Sequence, residues 1–423
     1  MNYELNLQRI GNLSFKKLLG KDLAKTMLLK WFEQIQLGRI ALVDGQERKV
    51  FGQPEAQARA SAVIHVHDKN FYQAILFGGS VGAGESYMQG DWTSPDLVGA
   101  VRVMAMNIPA MQNLNKNMVL SSKLFFSLYS RLTRNDLNGS RKNISAHYDL
   151  GNDFFSLFLD PSMMYSAAVW KDEAWSLEQA STFKLDLICQ KLELKPTDHL
   201  IEIGTGWGAM AVHAAKHYGC KVSTTTISKE QYLHACELVK KEKLEDRVEV
   251  LFSDYRDLTG RYDKLVSIEM IEAVGKEYLP TFFKQCSNLL KPEGKMLIQS
   301  ITISDQRYQQ ALKSVDFIQR YIFPGGHLPS VSVFSEHLAA YTDMQLTDLH
   351  DITHDYALTL QAWRKRFLDA LSQVRELAYD ETFIRMWDFY LAYCEGAFRE
   401  RAIQTSQFLA LKPAASHQNP AWR

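Results

Sequence analysis

Three glycines, Gly204, Gly206 and Gly208, follow the run Leu200-Ile201-Glu202-Ile203 with G-x-G-x-G spacing. At the junction of a strand and a helix, missing side chains let the backbone approach a ligand closely. Free N–H groups and the positive dipole end at the helix start favour an anionic end of that ligand, such as the carboxylate of a sulfonium cofactor. A dinucleotide fingerprint needs G-x-G-x-x-G and a P-loop needs a Gly-Lys-Ser/Thr ending, so hydride transfer and ATP hydrolysis lose ground. Taken alone, the turn points to a nucleotide-like ligand. Further polar groups recur along the chain: Thr224-Thr225-Thr226-Ile227-Ser228 with Gln231, then Ser253-Asp254-Tyr255-Arg256-Asp257, then Glu269-Met270-Ile271-Glu272. Each set lies at or just after the end of an expected strand, as expected of residues lining the crevice at the strand ends of an open α/β sheet.

The elements that must hold these groups alternate between periods of two and 3.6 residues. Strands are expected at His199 to Ile203, Lys221 to Thr226, Val248 to Phe252, Lys264 to Ile268 and Lys295 to Ile301, and helices at Ala209 to His217, Lys229 to Lys243 and Tyr278 to Leu290. That order implies a doubly wound, Rossmann-like α/β domain. Before it, Phe15 to Ile35 reads as a basic amphipathic helix, packed on its own domain or laid on a membrane surface. Strands at Ile40 to Val43, Ala62 to His67 and Phe71 to Phe77, with helices near Asp96 to Met106 and Asn117 to Leu132, give a smaller α+β amino-terminal domain. The polar run from Thr133 to Lys142 reads as a linker. The expected organisation is an amino-terminal domain over 1–134, a linker over 135–146, the main domain over 147–412, and a tail over 413–423.

Among 423 residues, 48 Lys and Arg balance 48 Asp and Glu, so no global field draws the chain to nucleic acid. The 46% hydrophobic content is enough for more than one buried core. Five scattered cysteines without C-x-x-C spacing argue against a disulfide framework and a zinc site, so no metal is expected, and a reducing cytoplasm fits. No uninterrupted apolar run nears the roughly 20 residues of a membrane span, so a protein acting on membrane lipid would visit the inner face of the membrane transiently. A homodimer is compatible with this reading.

Several segments resemble the cyclopropane-fatty-acyl-phospholipid synthases: His147-Tyr148-Asp149-Leu150-Gly151-Asn152-Asp153, Met164-Tyr165-Ser166, the glycine turn, Thr226-Ile227-Ser228 and Asp254-Tyr255-Arg256-Asp257. Tyr321-Ile322-Phe323-Pro324-Gly325-Gly326, Cys394-Glu395-Gly396-Ala397-Phe398-Arg399 and Gly84-Glu85-Ser86-Tyr87-Met88 extend the likeness over most of the chain. The resemblance implies methyl(ene) transfer from S-adenosylmethionine to an unsaturated acyl chain of a membrane phospholipid. It implies that Tyr148, Tyr165, Ser166, Gly204, Gly206, Thr226, Gln231, Asp254 and Tyr255 surround that cofactor. It matches Glu272 to a glutamate orienting a bicarbonate that serves as base, and Tyr356 and the backbone around Ile301 to further bicarbonate contacts. Glu269 is the local competitor for the role of the acid. The segment Asp316 to Phe323 with Trp363, Phe367, Trp387, Phe389, Tyr390 and Phe398 reads as lid and wall of an acyl tunnel, or as ordinary core.

Three positions depart from the pattern. Ala167 stands where the family has a cysteine, Gln299 where it has a histidine, and Ala273 where a histidine often follows the glutamate. Gln299 still donates and accepts hydrogen bonds, but two groups expected beside bicarbonate are gone. The departures point to a divergent branch releasing a methylated or methylene product instead of a ring. An alkene is a weak nucleophile, so a dry pocket that aligns it, and a base for the proton lost afterwards, are required whatever the product. Cys394 reads as an inert buried thiol, since methyl transfer from a sulfonium needs no covalent nucleophile. The rival readings are small-molecule amine N-methylation and a noncatalytic lipid-binding protein that retains cofactor affinity.

Overall fold

The computed structural model describes residues 20–108 and 150–416. Tyr148, the 135–146 linker and the helix expected at Asn117 to Leu132 lie outside the described residues. The chain divides into two compact units. One comprises Met1–Arg131, Ala311–Ile322 and Val374–Ala402, and the other Leu132–Gln310, Phe323–Gln373 and Ile403–Arg423.

In the first unit, β1 (Arg39–Asp44) turns through Gly45 and Gln46 into β2 (Glu47–Gly52), with Asp44 opposite Glu47. Gly45 has φ +61°, the conformation a two-residue hairpin loop demands. β1 also pairs in parallel with β3 (Ser61–Val66), which meets the short β4 (Trp92–Thr93) antiparallel, giving the order β2-β1-β3-β4. The expected strand at Phe71 to Phe77 is instead part of the helix Asn70–Met88. Phe71, Tyr72 and Ile75 are its buried residues there, and their spacing of one and four suits a helical face that tertiary packing covers. That helix also carries Gly84, where a Cβ would lie 2.2 Å from the Phe317 ring, so only glycine lets the two segments approach so closely.

In the second unit, seven strands run β10-β11-β9-β8-β5-β6-β7, from β5 (His199–Ile203), β6 (Lys221–Thr226), β7 (Val248–Phe252), β8 (Tyr262–Ile268) and β9 (Leu290–Ile303) to β10 (Gln345–Asp351) and β11 (Ile403–Leu411). Only β11 pairs antiparallel with its neighbours β9 and β10. Alternate residues feed two apolar cores: Leu265, Met296, Ile298 and Phe408 enter one, and Val266, Leu297 and Leu409 the other. The chain leaves β5 towards β6 and β7 on one side and later adds β8 and β9 on the other. The topological switch point therefore falls between β5 and β8, where open α/β sheets bind ligands.

Candidate active site

The glycine turn stands at the end of β5. Gly204, Gly206 and Gly208 have φ of +101°, +54° and +98°, a region that side-chain-bearing residues adopt at a cost of about 1–2 kcal/mol. A Cβ on Gly206 would meet nothing within 4 Å, so this position borders open space, whereas one on Gly204 would lie 3.2 Å from Met270. Neighbouring strand ends supply the polar groups. Thr226 Oγ1 donates to Gln231 Oε1 at 2.9 Å. Asp254, buried, accepts a bidentate pair from Arg256, with Nε at 2.8 Å and Nη2 at 2.7 Å, while the Arg256 guanidinium lies over the Tyr255 and Tyr278 rings. Tyr165 packs among Phe155 (5.3 Å) and Trp363 (5.2 Å). Open space at Gly206 at the end of β5, with hydrogen-bonding groups at the ends of β6 and β7 on the same side of the sheet order, fits a nucleoside-bearing cofactor.

At the end of β8 and beside it, the residues at the positions matched to bicarbonate surroundings divide between two carboxyls, Glu269 and Glu272. Glu269, just past β8, accepts from the Ala167 N–H at 2.9 Å and from Gln299 Nε2 at 2.8 Å on Oε1, and from the Tyr356 hydroxyl at 2.8 Å on Oε2. Its φ of +48° is left-handed, uncommon for a residue other than glycine, and its N–H donates to the Gln299 carbonyl at 2.8 Å. Gln299 is fixed in turn by Gln407 Nε2, which donates to its Oε1 at 3.1 Å. Glu272 does not touch this set. Its Oε1 accepts from the Ile301 N–H and from Ser300 Oγ at 3.1 Å, and its buried Oε2 has no hydrogen-bond partner among the described residues. Tyr356 and Gln299 thus converge on Glu269, and the Ile301 backbone on Glu272.

Both carboxyls retain some surface yet are ringed by enough protein that desolvation dominates their titration. It raises Glu269 and, with the neighbouring Glu269 charge, pushes Glu272 up to about 8. Beneath them, Ser166 Oγ accepts from the buried Lys184 at 2.8 Å, and the buried Glu202 accepts from Thr224 Oγ1 at 2.7 Å. Lys184 was legible as an anomaly. It occupies the apolar stripe Leu177, Ala180, Lys184, Leu185, Ile188 of the helix Leu177–Leu192, where a solvated lysine has no place. Trp363 and Phe367 are core residues of this unit, and Trp387, Phe389, Tyr390 and Phe398 of the other. The Cys394 thiol is pushed up by burial, away from the reactive thiolate.

The strand order and the glycine turn define a class, the S-adenosylmethionine-dependent methyltransferases. Within it, the chain belongs to the mycolic acid cyclopropane synthetase family, whose model matches residues 135–408. It is similar to the cyclopropane-fatty-acyl-phospholipid synthase of Escherichia coli K12, 39% identical over 82% of this chain and 87% of that one. It is also similar to a tuberculostearic acid methyltransferase of Mycobacterium tuberculosis H37Rv, 35% identical over 79% of each. A mycolic acid cyclopropane synthase solved with SAH and CTAB superposes with a TM-score of 0.61 at 32% identity, covering 64% of this chain and 98% of that one. Coclaurine N-methyltransferase, at 18% identity, shares the fold.

Proposed function

We propose that this enzyme methylates an unsaturated acyl chain of a membrane phospholipid, that Glu269 is the base that completes the reaction, and that the product is open-chain. The observation that carries the reading is the convergence of the Ala167 N–H, Gln299 and Tyr356 on the Glu269 carboxylate. A side-chain carboxylate there takes the Tyr356 contact that the family resemblance assigns to bicarbonate, together with the groups at the two departed positions, Ala167 and Gln299, which makes the diffusible ion redundant.

When bound, S-adenosylmethionine would supply an electrophilic sulfonium methyl group to the π pair of the alkene, with its thioether as leaving group. The glycine turn, Thr226, Gln231 and Asp254 hold and orient that donor, while the aromatic wall of Phe155, Tyr165 and Trp363 excludes water and offers π faces to a cationic chain. The Glu269 carboxylate lowers the energy of positive charge on the chain carbon beside the new bond. Its Oε2 has lone-pair capacity beyond the Tyr356 bond and takes the proton. Removal from a neighbouring chain carbon gives a methyl-branched alkene; removal from the new methyl, with C–C closure, gives a ring.

The names of the Escherichia coli and Mycobacterium tuberculosis relatives support a fatty acyl substrate. Support for contact with the inner membrane face comes from the helix Lys21–Phe32, where Leu23 (53%) and Met27 (38%) are exposed alongside Lys21 and Lys30. No helix among the described residues is long and apolar enough to cross a membrane. The test is turnover of unsaturated phospholipid vesicles with labelled S-adenosylmethionine in bicarbonate-free buffer, with mass spectrometry of the fatty acids. Wild type should turn over without added bicarbonate, and Glu269→Gln should bind cofactor but not turn over. Dependence on bicarbonate, or full activity in Glu269→Gln, overturns the base assignment. A dominant cyclopropane overturns the open-chain product, and absence of lipid labelling the substrate class.

A further inference from the structure

We propose that Lys184 is a positioning residue: its buried ammonium, bonded to Ser166, is the counter-charge that keeps Glu269 ionised and ready to take a proton. The inference rests on the reading of Glu269 as base.

Lys184 has no exposed surface. Taking an ammonium out of water costs several kcal/mol, which an apolar residue on the same helix face would avoid, so its presence needs a compensating electrostatic role. Three carboxylates act on it favourably: Glu269 after β8, Asp160 after the helix Asn152–Ser156, and Glu202 on β5. The donors holding those acids are neutral. Asp160 accepts from the Ser162 N–H and Oγ and the Met164 N–H, Glu202 from Thr224, and Glu269 from Ala167, Gln299 and Tyr356. The Glu269 charge in turn disfavours ionisation of Glu272, which burial already holds up. Lys184 therefore sets a buried positive charge against these three acids. Its only hydrogen-bond acceptor at ordinary distance among the described residues is Ser166 Oγ, a neutral group next in chain to Ala167. One side chain thus supports the cofactor-facing segment 165–167 and the charge of the base bound to it. Burial holds the ammonium down to about 8, so its charge thins as the medium becomes alkaline.

The experiment is the pH profile of kcat for the full-length protein on unsaturated phospholipid vesicles, comparing wild type with Lys184→Gln, Lys184→Met, Ser166→Ala and Glu269→Gln. Loss of an opposite charge raises a carboxyl pKa, by about one unit for near neighbours. The acid limb should therefore move up by about that amount in Lys184→Gln and Lys184→Met, with activity lost at neutral pH recovering in alkali. Ser166→Ala, which removes the acceptor and leaves the charge, should keep the limb in place whatever its effect on rate. A uniform fall in kcat with an unmoved limb in both Lys184 variants assigns the residue to structure and overturns the proposal. So does loss of the folded state, by circular dichroism, in the unbranched, similarly sized Lys184→Met. If Glu269→Gln retains the wild-type limb, the base reading has failed, whereas an unmoved limb in the Lys184 variants alone refutes only this inference.

Discussion

Replacing Tyr356 by Phe removes one oxygen and tests the geometry around Glu269 with little disturbance of packing. The hydroxyl donates to Glu269 Oε2 at 2.8 Å, and the ring meets Trp363 edge-on at 6.1 Å, a contact that Phe retains. A hydrogen bond to a charged acceptor contributes about 1.5–3 kcal/mol. At about 1.4 kcal/mol per pKa unit, its loss raises the Glu269 pKa by roughly one to two units. The active form is the carboxylate, so the acid limb of kcat should move up by that amount. Below the limb, turnover should fall about 10- to 100-fold, while cofactor affinity is unchanged. The assay is kcat against pH on unsaturated phospholipid vesicles at saturating S-adenosylmethionine, with cofactor binding by calorimetry. An unmoved limb with unchanged kcat refutes the reasoning, because no base held by Tyr356 could ignore its removal.

Other consequences follow from the same geometry. Glu272 titrates near 8 in the folded protein against an ordinary value of 4.5, so the native state binds the extra proton. Its contribution to stability is present below 4.5 and lost as pH rises to about 8; melting temperatures should fall over that window, and less steeply in Glu272→Gln. Gly204→Ala forces a side chain into φ +101° and against Met270, and should lower the melting temperature and weaken cofactor binding measured by calorimetry. Arg256→Ala frees Asp254 from its bidentate partner and should raise the cofactor Kd about tenfold, the effect of losing about 1.4 kcal/mol, while kcat at saturation holds.

The sequence determined what depends on neighbours in the chain. The glycine turn, the alternating strands from His199 to Ile301 and the polar groups at their ends are local signals, because period and missing side chains are written within a dozen residues. Tertiary structure decided the rest. β10 and β11 escaped notice since β10, Gln-Leu-Thr-Asp-Leu-His-Asp, is a partly exposed edge strand, and β11 pairs with β9 about a hundred residues earlier. Phe71 to Phe77 carries strand-like composition, yet packing makes it helix. Which of Glu269 and Glu272, three residues apart, accepts from Gln299 and Tyr356 could not be read from spacing. The partners of Glu269 stand 102, 30 and 87 residues away, and its left-handed backbone shows only in the fold. A carboxylate becomes a base through the donors and charges around it, and those are assembled by the sheet, not by the chain order.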